Sequence, residues 1–595
     1  MRNDRALKSR IFSRRVFILS GFKFFIMFVF ACRMFFLQII KSKEYKTLSD
    51  KNSINIIFIE PERGKIFDSS GVQLAVSVKS YKLVLYRQKT TDINYLLNNL
   101  TNILVLDKSY QQRLAKKMQS SPYLRPTVLQ DNLSWHDVCK FEEVSYELEG
   151  LYIDKGLIRD YKFHDLYSHV IGYMGVPNNT EIKTYNLTRY KNFKVGKAGI
   201  EKFFESSLIG QFGMKKVEVN AYRSIVRELS EQHSKAGNDL RLTINHTLQD
   251  YVFHSLKNEC AIVVVMNIQN GNVLSMLSTP TFDPNLFSHG ISEEQWYKII
   301  SNKSLPLTNK AIAKLYPPGS TFKMAVALAI LYKGLDPEHK IFCSGAVEIN
   351  GHTFKCWKKG GHGNVNLHQA ITGSCNCYFY LMGLQAGIDN IHRIANLLGI
   401  GHKTNISLPG ELGGINPDKE WKKKLYNQNW FIGDTVNITV GQGYLLATPL
   451  QLVTMTARIA SGYNVLPRLV SNVAEQKLLV AKFTTIDINP DHLALVKRGL
   501  ESVINDPHGT GFSNRITEHP FKMAGKTGTS QVISVDTAEN KSFAKHLRSH
   551  SIFTGFAPIH DPRFACVVIV DHGGWGSAKA APLAKDILLY TQLHC

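Results

Sequence analysis

The sequence predicts an α+β domain, an antiparallel sheet with helices on its faces and a helical subdomain. This domain is carried on an elongated mixed α/β pedestal behind one N-terminal transmembrane helix. Three observations predict this. A basic N-terminus runs into a long apolar segment, β-rich runs lie at both ends of the second half, and a long stretch of helical character separates them. Strands from two ends of a domain that enclose a helical insert make an α+β sheet covered by helices. At 595 residues the chain is too long for one core, so two or more folded units are expected.

The anchor comes first. Arg2, Arg5, Lys8, Arg10, Arg14 and Arg15 precede an apolar run from Val16 to Ile40. A helix of about 20 residues spans a bilayer, so this run is long enough. The basic flank keeps residues 1–15 in the cytoplasm and sends the rest outward. No small-residue cleavage site follows, so residues 16–40 read as an uncleaved signal anchor. Lys23 and Arg33 lie inside the run; both are read as snorkelling side chains, with a partner helix as the alternative for Lys23. The expectation is a single-pass membrane protein with its body outside the cytoplasm. A net charge of +23 favours anionic partners such as lipid head groups or an acidic polymer. No arginine- and aromatic-rich recognition module is present, so no nucleic acid is expected.

Residues 41–240 read as a non-catalytic pedestal. EPERGKIFDSSGVQLA (60–75) is punctuated by Pro61, Gly64 and Gly71 into a strand–turn–strand pattern. Leu-rich stretches between residues 80 and 149 suggest a small helical subdomain without readable chemistry. In GKAGIEKFFESSLIGQFG (196–213), Ile200, Phe203, Phe204 and Leu208 recur at helical spacing, which predicts one amphipathic helix with glycines at both ends. Residues 241–595 read as the catalytic domain. RLTI (241–244) leads into a helix, and two β-rich runs flank Asn270-Gly271 as a hairpin. MAVALAILYKG (324–334) is a helix closing on Gly334, and HSIFTGFAP (550–558) and RFACVVIVDHGG (563–574) are buried strands.

Three short motifs fall in this half, in order. Ser320-Thr321-Phe322-Lys323 follows the rigid turn Pro317-Pro318-Gly319 and opens the apolar helix, which puts Lys323 one turn on and on the same face. A serine hydroxyl needs an adjacent base to become a nucleophile, and a lysine amine serves when desolvation or nearby positive charge lowers its pKa. Ser374-Cys375-Asn376 lies within GSCNCYFY, and Lys526-Thr527-Gly528-Thr529 within AGKTGTSQ. Each motif alone is weak, since a serine at a helix start is usually only a cap. Together and in this order they are specific.

The set resembles the S-x-x-K, S-x-N and K-T-G signature of penicillin-binding proteins and β-lactamases. RGKIFDSSGVQLA (63–75) and the 196–213 segment resemble pedestal motifs of the class B penicillin-binding proteins, with Ser69 where their arginine is more usual. LPLTNKAI (305–312) and WFIGDTVNITVGQGYLLATPLQL (430–452) resemble transpeptidase-domain landmarks. YPPGSTFK and FKCWKKGGHGNVNL (354–367) resemble the elongation-type penicillin-binding protein 2, with the division-specific class B transpeptidase as the alternative. The resemblance implies a serine β-lactamase/transpeptidase-like fold and a peptidoglycan DD-transpeptidase that needs no cofactor for catalysis. It implies Ser320 as nucleophile, Lys323 as general base, Ser374 as proton relay and Asn376 as a contact to the substrate backbone. Lys526, Thr527, Gly528 and Thr529 are implied to hold the substrate carboxylate, and the N–H groups of Ser320 and Thr529 the oxyanion. The implied partners are D-Ala-D-Ala stem peptides with an amine acceptor, β-lactams, and a RodA-type membrane glycosyltransferase contacting the anchor and residues 63–75. Within enzymes a minor carboxypeptidase activity, releasing D-Ala to water, stays open; the competing readings are a β-lactamase and, from other classes, a β-lactam sensor and an inactive wall-assembly scaffold. The long pedestal, the few residues before the span and the intact Ser320, Lys323 and Lys526 argue against each in turn.

Cys343, Cys356, His362 and Cys375 offer three thiolates and an imidazole, a full tetrahedral set for one structural zinc. Elongation-type relatives with a metal at matching positions add to this reading. Free buried thiols and a disulfide are the alternatives, with Cys377 as another partner. A closed four-ligand site leaves no position open for catalysis, but Cys375 lies between Ser374 and Asn376, so a metal there would brace that loop.

Overall fold

The structure, a computed structural model, describes residues 2–43, 54–87, 90, 92–104, 108–122, 126–185, 193–220, 225–256, 259–479, 482–531 and 547–595. Two compact units result: Met1–Pro61 with Gln211–Lys235, and Glu62–Gly210 with Ala236–Cys595. The first unit holds the N-terminal helix Arg2–Phe35, which runs on through a π-helical turn, Phe36–Ile40. Within it Arg14–Ile40 has a mean hydropathy of 1.9 and buries none of its most apolar window, so its side chains have no protein core to enter. Length and composition fit a single-pass membrane anchor. The same unit holds a three-stranded antiparallel sheet in the order Ile54–Ile59, Gly213–Val219, Ile225–Gln232.

In the second unit, Ile66–Phe67 and the long strand Gln73–Leu85 form the expected strand–turn–strand. The turn is built on Asp68, whose Oδ1 accepts from the backbone N–H groups of Ser70, Gly71 and Val72. An aspartate that caps its own turn in this way replaces a backbone acceptor. Gln73–Leu85 pairs further with Thr127–Leu133 and Leu151–Tyr161. Helices Ile93–Leu104, Lys108–Gln119 and Trp135–Val144 make the helical subdomain, where Leu96, Leu100, Leu114, Met118 and Phe141 form a small core of their own. The strand Leu240–Leu242 pairs parallel with Ile66–Phe67 and antiparallel with Val470–Val473.

The single amphipathic helix expected in residues 196–213 is not there. Two short helices, Gly199–Phe203 and Glu205–Leu208, take its place. Ile200 and Leu208 are buried, but Phe203 is half exposed, and the inward face is shared by two glutamates. Arg63 Nε donates to Glu201 Oε2 (2.6 Å), Arg63 Nη2 to Glu205 Oε2 (2.6 Å) and Arg159 Nε to Glu201 Oε1 (2.7 Å). All four side chains are buried. Apolar periodicity cannot register a helix that turns its charged residues inward, because their partners lie elsewhere in the chain.

The catalytic sheet has five antiparallel strands: β1 (Ala261–Asn267), β2 (Val273–Ser278), β3 (Ala524–Ser530), β4 (His550–Ala557) and β5 (Phe564–Val570), in the order β2-β1-β5-β4-β3. β1 and β2 form the hairpin read from Asn270-Gly271, with Gly271 in the left-handed region at φ +73°. Every residue of β5 is buried, as in a strand covered on both faces. Helices Pro449–Ser461 and Ala580–His594 pack on it. The helical insert is led by α1 (Lys323–Tyr332), buried on all sides except at Tyr332, and α1 packs on α2 (Asn376–Ala386). A helix that is apolar all round belongs in a core.

Candidate active site

The turn before Ser320 is set by Gly319, whose φ of +56° and N–H bond to the Gly441 carbonyl (2.9 Å) bend the chain into a 3-10 turn, Gly319–Phe322. A Cβ on Gly319 would lie 2.7 Å from the Thr529 carbonyl oxygen, so only glycine fits. Ser320 therefore sits on the lead-in turn, half-buried, and Lys323 is the first residue of α1 proper.

Lys323 is fully buried, and its Nζ donates to Asn376 Oδ1 (2.6 Å), the Ser374 carbonyl (2.8 Å) and Ser374 Oγ (3.3 Å). The first and second motifs are thus joined by hydrogen bonds to one ammonium. Burial pulls its pKa down to about 8, against the upward pull of the nearby Cys356 and Cys375 thiols. Ser374 holds a left-handed φ of +55° on the loop before α2. That loop is braced by Trp357, whose Nε1 donates to the Gly373 and Ser374 carbonyls (3.1 Å each). Sequence reasoning assigned Trp357 no role. Its position next to Cys356 was the available signal.

The third motif is β3, which has no strand on its outer side among the described residues. A Cβ on Gly528 would meet Thr321 Cγ2 at 2.9 Å and the Pro318 carbonyl at 3.2 Å, so β3 is pressed against the Ser320 turn. Lys526 is fully buried, and burial, then the nearby Lys323 charge, depress its pKa well below the usual lysine value. Among the described residues neither Lys323 nor Lys526 pairs with a carboxylate. Thr527 Oγ1 lies 2.7 Å from Thr510 Oγ1, a contact no motif announced, and Thr529 Oγ1 accepts from Gly576 N–H at 3.4 Å. The structure brings Ser320, Lys323, Ser374, Asn376 and the Lys526–Thr529 strand together.

Beside the Ser374 loop, the donor atoms of Cys343, Cys356, His362 and Cys375 all lie within 4.8 Å of one another. His362 Nδ1 is 3.6 Å from the Sγ atoms of Cys343 and Cys356, and Nε2 is 3.1 Å from the Gly373 carbonyl. A carbonyl can only accept, so the ring proton belongs on Nε2 and the Nδ1 lone pair faces the thiols. This is the outer contact that orients a metal-binding imidazole. No disulfide joins these cysteines, and Cys377, also buried, stays outside the four-residue group.

Residues 261–589 match the penicillin binding protein transpeptidase domain, and residues 58–242 the penicillin-binding protein dimerisation domain. The peptidoglycan D,D-transpeptidase MrdA of Acinetobacter baumannii is 33% identical over 98% of this chain and 88% of its own.

This chain belongs to the class B penicillin-binding proteins, of the penicillin-binding protein 2 type.

The likeness extends to solved structures of the family. One is a complex between penicillin-binding protein 2 and MreC from Helicobacter pylori, 30% identical, with a TM-score of 0.79 over 91% of this chain and 99% of that one. Another, described as structural coordination of polymerization and crosslinking by a peptidoglycan synthase complex, is 26% identical with a TM-score of 0.72 over 96% of this chain and 97% of that one. The class B pedestal and the transpeptidase sheet therefore both have counterparts outside this sequence.

Proposed function

We propose that the chain is an elongation-type peptidoglycan D,D-transpeptidase acting through an acyl-enzyme on Ser320. One observation carries the residue assignment: a lysine one turn from a serine, buried with no carboxylate paired to it among the described residues, its ammonium held by Ser374 and Asn376. A lysine in that setting gives up its proton far more readily than an exposed one.

In the proposed cycle neutral Lys323 takes the Ser320 Oγ proton as Oγ attacks the carbonyl carbon of the D-Ala-D-Ala peptide bond. The oxyanion is held by the backbone N–H groups of Ser320 and Thr529, each worth roughly 3–4 kcal/mol. Ser374 Oγ, in hydrogen-bond reach of Lys323, relays a proton to the departing D-Ala nitrogen. The C–N bond breaks and leaves an ester on Ser320. An amine of a neighbouring stem attacks that ester, the cross-link forms, and Ser320 regains its proton. Lys526, Thr527, Gly528 and Thr529 hold the terminal carboxylate, and Asn376 bonds the substrate backbone. A β-lactam opens on Ser320 without losing its leaving group and stalls there.

The test is incubation with a labelled penicillin followed by mass-spectrometric mapping. A stable adduct on Ser320, absent in Ser320→Ala, supports the reading. Rapid turnover of the drug would indicate a β-lactamase, and no adduct in folded protein a scaffold.

The convergent thiols and imidazole suit one structural zinc on Cys343, Cys356, His362 and Cys375, which would supply a fixed brace and no catalytic step. Elemental analysis should give about one zinc per chain, and a Cys343–Cys356 disulfide found by mass spectrometry would remove the idea. The division at residue 240 into pedestal and transpeptidase domain, an inner-membrane location, and a RodA-type partner at the anchor and residues 63–75 complete the reading. The synthase-complex neighbour supports such a partner. Unchanged co-purification after substitutions at those positions would move the contact elsewhere.

A further inference from the structure

Asp571, directly after β5, is buried at 6% exposure and gathers more partners than its place at a strand end requires. Tyr316 Oη donates to its Oδ1 (2.9 Å), and Lys314 Nζ to its Oδ2 (2.8 Å). Cys260 Sγ donates to Oδ2 (3.2 Å), and His550 Nδ1, which accepts from the His572 backbone N–H (3.2 Å), lies 3.3 Å from Oδ1. The backbone N–H of Asp571 donates to the Cys260 carbonyl (2.8 Å). Burial alone would favour the neutral acid, but His550 and Lys314 outweigh it and hold the group as a carboxylate.

These partners belong to two elements of the active site. Lys314 and Tyr316 lie in the segment that enters the Gly319-Ser320 turn, and the Tyr316 backbone exchanges both of its hydrogen bonds with Ala447 (2.9 Å each). His550 opens β4 and pairs with Ser530, the residue after Thr529 at the end of β3. The Tyr316 ring meets the His550 ring edge-on at 5.3 Å. One carboxylate thus ties the approach to the serine to the far end of the strand that carries Lys526.

We propose that Asp571 is a positioning residue for acylation: through Tyr316 and Lys314 it sets the placement of Ser320 against the Thr529 end of β3. The proposal rests on Ser320 being the nucleophile. Lys314 and Tyr316 lead into the glycine turn, and Tyr316 is buried, so it loses its acceptor if Asp571 goes. The strain then falls on the residues next along the chain, where Ser320 and the oxyanion donors must keep their spacing. A shift of about 1 Å at a reacting group can cost on the order of a hundredfold in rate.

The experiment uses the full chain in detergent and a fluorescent penicillin at several concentrations, which separates reversible binding from the acylation rate. Tyr316→Phe removes a single hydroxyl, and Asp571→Asn keeps the shape but removes the charge. Both should acylate about tenfold or more slowly, with reversible binding and Tm close to wild type. The double variant should be no slower than Asp571→Asn, because the two act as one device. Wild-type acylation rates in both folded variants would overturn the proposal. So would binding and acylation falling together in proportion to lost folded protein, which marks a purely structural role. Should Asp571→Asn fail to fold, Tyr316→Phe decides alone. Wild-type protein without label on Ser320 would sink the function itself, a result distinct from any of these.

Discussion

Arg63 and Arg159 in the pedestal and Lys323 and Lys526 beside the serine are four cations sealed from solvent, in two very different settings. The arginines meet carboxylates: Glu201 accepts from both, and Glu205 from Arg63. Burial works against the Arg63 charge, yet Glu201 and Glu205 more than restore it. Among the described residues the lysines pair with no carboxylate: Ser374 and Asn376 hold Lys323, and Lys526, with the Lys323 charge nearby, reaches only the Thr527 carbonyl at 3.4 Å. Both have depressed pKa values. A buried charge that is paired stays put, and one left without its counter-ion can let go of a proton. The pedestal has the first kind and the catalytic domain the second, which is why only one of them can do acid–base chemistry.

The sharpest way to break this comparison is Lys323→Arg. It keeps the positive charge but cannot surrender a proton, so penicillin acylation should fall by roughly 10²–10⁴-fold in a protein that still folds. Acylation near the wild-type rate would mean that Lys323 only holds charge, as the arginines do. Arg63→Ala should act in the opposite sense. Leaving Glu205 buried without its cation, and Glu201 with Arg159 alone, should cost about 3–5 kcal/mol in urea unfolding, while the folded fraction acylates normally. Loss of acylation in that folded fraction would show that the pedestal knot reaches the chemistry.

A pH series separates the two regions without mutation. Neutral Lys323 is the competent base, so the acylation rate should climb as pH rises through about 8 and level off above it. The pedestal should be indifferent there. Glu201 is held below its ordinary value of 4.5, chiefly by Arg159 and Arg63 working against burial. Its contribution to stability is therefore complete above 4.5 and lost only as pH falls through the lower folded value. A stability change near pH 8 assigned to the pedestal would contradict this. The smallest effect belongs to Trp357→Phe, which removes one donor from the Gly373 and Ser374 carbonyls. It should lower stability by about 1 kcal/mol and slow acylation several-fold, read from Tm and the same labelling kinetics.

Much of the catalytic half was legible because its chemistry is local. Ser320 and Lys323 are one turn apart, and Ser374 and Asn376 flank one cysteine, so each pair forms a short motif, and the three motifs in order carry the family resemblance that assigns their roles. The sheet was legible for a related reason: a strand covered on both faces, such as β5, must be a run of apolar residues. The pedestal knot was not. Arg63 lies 138 residues from Glu201 and 142 from Glu205, and no local pattern links an arginine in a turn to glutamates in a short helix. Apolar spacing even pointed the wrong way, since Phe203 faces out and Glu201 faces in. Thr510 and Asp571 were illegible for the same reason, and Trp357 had only its place beside Cys356 to mark it. Each acts through one or two contacts made in space, and a single residue leaves no period to read.

Among the described residues the outer edge of β3 carries no strand. A strand with an open side can accept another length of chain, whose main-chain groups continue the ladder whatever side chains it bears. An enzyme that grips its donor this way recognises a spacing of amides ahead of a carboxylate and takes little notice of composition. That tolerance suits a polymer whose stems vary. It also leaves the enzyme open to forgery, because any small rigid molecule that displays the same few polar atoms will be admitted along the same edge.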